Sequence, residues 1–88
     1  MKIIIQTLTD SELSESNLFS WPIWSCGVSE FPWTYGDKES CYLLEGEVIV
    51  TTAFEEVKIQ AGDFVVFPKG LSCRWNVLNP VRKHYSFG

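Results

Sequence analysis

The chain has 88 residues, with seven basic and eleven acidic side chains and a formal net charge of −4. A chain of this length supports one domain, residues 1–88, and buries only roughly 60% of its unfolded surface, so its core must enlist nearly every apolar residue. The acidic balance, with no basic run, argues against a nucleic-acid partner, and no apolar run approaches the ~20 residues of a membrane-crossing helix.

Hydrophobic residues make up 45% of the chain and aromatic residues 15%, with four Trp, three Tyr and six Phe. Large rings gather apolar area efficiently in a small core, and they also line pockets for organic ligands. The N-terminal Met1–Gln6 lacks the apolar core of a secretory signal. Cys26, Cys41 and Cys73 are an odd number of widely spaced cysteines without a CxxC pair. That pattern fits reduced thiols and a cytoplasmic location better than a disulfide framework or a zinc knuckle.

In chain order, the β-branched run Lys2–Gln6 reads as an edge strand. Thr9 and Glu12 have capping-box spacing, which predicts one or two helical turns over residues 11–17. From Phe19 the period changes to two. Strands are predicted over residues 21–27 and 31–35, with Pro22 at an edge or a start. Glu39–Leu44 and Glu47–Thr52 read as a hairpin turning at Glu45-Gly46. Glu56–Ile59 alternates charged and apolar residues, and Phe64–Phe67 is a continuous apolar run suited to a strand buried on both faces. Leu71–Val77 and Val81–Phe87 close the chain around a turn at Asn79-Pro80. The pairs Glu45/Glu47 and Glu55/Glu56 flank turns and are expected to be solvated. Many short strands at intervals of about 8–12 residues predict an all-β barrel or sandwich.

Two motifs refine this. Glu39-x6-Gly46 resembles the second half of the first cupin motif, and Gly62-x5-Pro68-x-Gly70 resembles the start of the second. With Trp21-Pro-Ile-Trp24, Phe31-Pro-Trp33, Trp75 and Val81–Tyr85, the chain is similar to the small single-domain cupins of the DUF861 or cupin-3 family over roughly residues 21–87. That group is also similar to domains of ureidoglycine aminohydrolase and of an ethanolamine-utilisation protein. The resemblance implies a small cupin β-barrel, or jelly roll, preceded by a short strand and a helical turn.

The resemblance also implies where a metal would sit, and this chain departs from the pattern there. Glu39 matches the family's glutamate. Its histidine positions fall on Trp33, Tyr35 and Cys73. An indole cannot ligate a cation and a neutral phenol is a poor ligand. Glu39 with Cys73 would leave a divalent metal two ligands short. No cofactor is therefore expected.

Strand alternation places Glu39, Cys41 and Leu43 on one face, and Cys73, Trp75 and Val77 on another. In the family's register both faces point into the barrel and are joined by Trp33 and Tyr35. Lys83 and Tyr85 are preferred over His84 for the inward face of the last strand. The expected pocket holds Trp33, Tyr35, Cys41, Trp75, Lys83 and Tyr85 around two candidate catalytic residues. Glu39 would act as general acid or base, and Cys73 as a nucleophile if Lys83 or His84 activated it.

Blander roles stand beside these. Buried cysteines are more often core residues, Trp21 and Trp24 can be core packing, and Glu39 can be one half of a salt bridge with Arg82 or Lys83. Three functions stay open: a weak or metal-independent enzyme acting on a small metabolite, a non-catalytic small-molecule-binding module, and a homodimeric accessory protein joined through exposed strand edges.

Overall fold

Two strands much longer than the usual five or six residues carry the architecture of the computed structural model, which describes residues 1–88. In chain order the elements are β1 (Ile4–Thr7), helix α1 (Asp10–Ser16), a 3-10 turn (Leu18–Ser20), β2 (Ile23–Cys26), β3 (Ser29–Thr34), β4 (Glu39–Thr52), β5 (Glu56–Gln60), β6 (Asp63–Phe67) and β7 (Ser72–Phe87). All pairings are antiparallel. The sheet order is β1-β6-β4-β7-β2, with β3 added to β7 and β5 added to β4. The chain is an all-β cupin fold, as its motifs led one to expect.

The long strands β4 and β7 each serve two halves of the roll. Glu39–Tyr42 of β4 pairs with β6 on one side and with the end of β7 on the other. After a corner, Glu47–Thr51 pairs with β5, while Val48–Thr52 lies against the start of β7. The first half of β7 also carries β3, and its second half carries β2. The two halves fold onto one another, and the core between them includes Leu43, Val48, Val50, Ile59, Val65, Phe67, Leu71 and Val77.

The corner corrects two sequence readings. No hairpin turns at Glu45-Gly46, and none at Asn79-Pro80; both lie inside continuous strands. The chain uses glycine and proline here to bend a strand rather than to reverse it. Register shifts between Leu43 and Val48 mark β-bulges, and they change which residues face inward. The buried positions are 39, 41 and 43 before the corner and 48 and 50 after it. Gly46 has φ +110°, and a Cβ there would stand 2.7 Å from the Pro80 carbonyl oxygen and 2.8 Å from Val81 Cα. Pro80 donates no hydrogen bond, a loss that a bent, bulged site tolerates better than a regular ladder.

Local signals at the N-terminus are met with small shifts of boundary. The Thr9 hydroxyl accepts from the Glu12 N–H at 3.2 Å, and the Glu12 carboxylate accepts from the Thr9 N–H at 3.0 Å, completing the capping box. Those bonds to Thr9 hold the Glu12 carboxyl below its ordinary pKa. The helix itself buries nothing, and Leu18 beyond it is the fully buried anchor. Of the four turn-flanking glutamates, Glu55 accepts from the Ile3 N–H at 3.1 Å and ties the N-terminus down. Glu47 and Glu45 form surface ion pairs with Lys58 and Arg82. No helix is long and apolar enough to cross a membrane.

Candidate functional site

Where the two halves of the roll meet, β2, β3, β4 and β7 line an open cavity of about 440 Å³. Its walls are mainly aromatic because of cross-strand register. Trp24 of β2 lies opposite Lys83, and Phe31 of β3 lies opposite Trp75. The Phe31 and Trp75 rings stack at 6.1 Å, and Trp24 meets Trp75 edge-on at 5.9 Å. Trp33, half exposed, stands edge-on to Tyr35 at 6.3 Å. Tyr85 and Phe87 complete the apolar lining, and Cys26 adds a half-buried thiol.

The polar centre of this cavity is one buried ion pair. Lys83 Nζ donates to Glu39 Oε2 at 2.9 Å, and both side chains are almost wholly enclosed. Lys83 Nζ also lies 4.5 Å from the Trp75 ring centre and 5.0 Å from that of Trp24. An ammonium between two indole faces gains from their quadrupoles, more so when desolvated. Two buried polar atoms at the site have no hydrogen-bond partner: Glu39 Oε1 and Trp75 Nε1. Leaving such groups unmet costs on the order of 1–3 kcal/mol each, so their presence together needs a reason.

The structure brings most of the expected residues together. Trp33, Tyr35, Glu39, Trp75, Lys83 and Tyr85 all line the cavity. His84 faces the other way, with its Nδ1 at 2.8 Å from the Trp21 carbonyl and its ring against Phe19. The two inner cysteines are the exceptions. Cys41 shares the face of Glu39 but is fully buried in the apolar core and does not reach the cavity. Burial, foremost, pushes its thiol up to about 12. Cys73 lies beside the cavity without lining it, and burial, foremost, raises its thiol as well, opposed by the nearby Trp75 indole and by Lys83 and aided by the Glu39 charge. Both stay protonated near neutrality, which disfavours the nucleophile role considered for Cys73. Tyr35 is likewise held protonated, first by burial and then by the nearby Glu39 charge.

Iodoacetamide at pH 8 should therefore alkylate Cys26 alone in the folded protein and all three thiols in urea, as read by intact mass. Rapid labelling of Cys73 in the folded protein would restore it as a nucleophile.

Trp24, Phe31, Cys26 and Phe87 are lining residues that sequence reasoning missed. The signal for Phe31 was present, since it alternates with Trp33 and Tyr35 on one strand face. Trp24 needed the β2–β7 register, which no local pattern carries.

The residues do not fit a divalent metal. Glu39 is the only anionic carboxylate lining the cavity, and its Oε2 already holds the Lys83 ammonium. No group of three or more His, Cys, Asp or Glu side chains converges anywhere in the fold. Trp33 and Tyr35 add no good ligand, and Cys73 does not line the cavity.

Comparison with known proteins places this chain in a family. The chain matches the family described as the EutQ-like cupin domain over residues 13–85. It is similar to the crystal structure of a DUF861 family protein from Thermotoga maritima, with 50% identity, a TM-score of 0.97, and coverage of 99% of this chain and 100% of that one. A putative ethanolamine utilization protein Q from Salmonella typhimurium shares 25% identity, with a TM-score of 0.64, over 99% of this chain and 69% of that one. The EutQ protein of Clostridium difficile shares the fold, at 22% identity and a TM-score of 0.68, over 74% of this chain and 52% of that one. No curated protein matches the chain. A 73-residue family match that covers both motifs, joined to a half-identical structure over nearly the whole chain, makes this chain a member of the EutQ-like cupin family.

Proposed function

We propose that this cupin domain is a small-molecule-binding module that takes an organic ligand into the aromatic cavity at the junction of its two halves. The observation that carries this reading is the cavity itself. At about 440 Å³ it falls within the ~300–1,000 Å³ range of ligand pockets and combines apolar walls with a few convergent polar groups. A barrel interior used only for packing would be filled by side chains. Binding is favoured over catalysis because the thiol considered as a nucleophile is protonated and off the cavity wall, and because Lys83 already engages the one carboxylate.

The test is a titration with small aromatic and aliphatic fragments, followed through the four indole N–H resonances in nuclear magnetic resonance spectra. Saturable shifts are expected at Trp24, Trp33 and Trp75, which line the cavity, and not at Trp21, which does not. No saturable shift with any fragment, or equal shifts at Trp21, would remove the reading.

A further inference from the structure

The polar groups of the cavity also specify what kind of molecule it takes, on the premise that it binds one. The Glu39–Lys83 pair cancels its own charge, and the ammonium is engaged by one carboxylate oxygen and two indole faces. What remains unmet is one acceptor, Glu39 Oε1, and one donor, the Trp75 indole N–H. Both residues are at least nine-tenths buried, and both border the same cavity. Both residues lie beside Lys83 Nζ, through Glu39 Oε2 at 2.9 Å and the Trp75 ring centre at 4.5 Å, so the unmet atoms belong to one neighbourhood of the cavity, where they are closed to water in the free protein.

We propose that the cavity binds a neutral primary carboxamide on an apolar or aromatic body, whose N–H donates to Glu39 Oε1 and whose carbonyl accepts from the Trp75 indole N–H. Charge and hydrogen-bond counting select this class. A carboxylate offers no donor to Glu39 and brings a second, uncompensated negative charge into an apolar space. An ammonium competes with Lys83 for the carboxylate and leaves the indole N–H unmet. A hydrocarbon fills the volume and satisfies neither group. An amide supplies both a donor and an acceptor at no cost in net charge, and the aromatic walls accept its body.

Four probes of matched shape separate these cases: benzamide, benzoate, benzylammonium and toluene, each titrated against the full chain by calorimetry and by nuclear magnetic resonance. Benzamide should bind roughly ten-fold tighter than each of the others, the increment of a single well-placed hydrogen bond in a buried site. It should also move the Trp75 indole N–H resonance downfield. Replacing the donor while keeping a ring, in Trp75→Phe, should weaken benzamide roughly ten-fold more than it changes toluene, since the altered wall is shared by both probes and the lost donor is felt by benzamide alone; thermal melting checks that this variant is folded. Benzoate, benzylammonium or toluene binding as tightly as benzamide, or an unmoved Trp75 resonance on benzamide binding, overturns the carboxamide assignment while leaving the cavity a binding site. Failure of all four probes to bind overturns the binding reading and the assignment with it.

Discussion

Replacing Lys83 with methionine is expected to destabilise the protein by roughly 3–5 kcal/mol, the cost typical of stranding one partner of a buried ion pair. The Lys83 and Glu39 side chains are 6% and 4% exposed, so water cannot compensate the carboxylate once the ammonium is gone. Methionine keeps most of the aliphatic length, which limits the packing loss. The double variant Lys83→Met with Glu39→Leu removes both charges and should recover most of that loss, since apolar replacement of a buried pair is often neutral or stabilising. Urea unfolding of the two singles and the double forms a complete cycle. A single variant that loses less than about 1 kcal/mol would show that Glu39 finds another partner or water, contrary to its enclosure.

The second large effect lies at the corner of the roll. Gly46→Ala forces a side chain into a backbone at φ +110° and against main-chain atoms of Pro80 and Val81, which cannot swing aside. Strain of about 1–3 kcal/mol and overpacking of about 1–3 kcal/mol give an expected loss of roughly 2–6 kcal/mol. Gly62→Ala is the matched control. Its φ is +93°, yet nothing lies within 4 Å of the added Cβ, so it should lose the strain component only. Thermal or urea unfolding of the two variants isolates the contact. Equal losses would mean that the approach of β4 to β7 at this corner relaxes easily.

The residues that carried the fold from sequence were those whose chemistry acts locally. Alternation put Glu39, Cys41 and Leu43 on one face, and all three are buried there. The Thr9/Glu12 spacing predicted a cap that is present. What misled was Gly46 and Pro80, because a glycine in the left-handed region and a proline without an N–H serve a bulge as well as a hairpin. Only the pairing of β4 with β7 along nearly their whole lengths decides between the two. In the site, the inward set Lys83 and Tyr85 followed from parity, whereas depth did not. Alternation says which face Cys41 occupies and not how far it lies from the cavity. The ion pair was weighed from the cost of a lone buried carboxylate, but its two indole neighbours needed the register: Trp24 lies 59 residues before Lys83 on another strand, and Trp75 eight before it on β7.

That β4 and β7 run through both halves of the roll has a kinetic consequence. Neither half holds a complete set of strands by itself, so the chain offers no separable unit that could form first and wait for the rest. Apart from the local hairpin of β4 with β5, where Thr51 lies opposite Glu56, the pairings along these strands close long loops before they are rewarded, which is the circumstance in which small domains fold slowly and in one cooperative step. The same sharing couples the cavity walls to global unfolding, so amide protons of β4 and β7 should exchange with solvent only as the whole molecule opens.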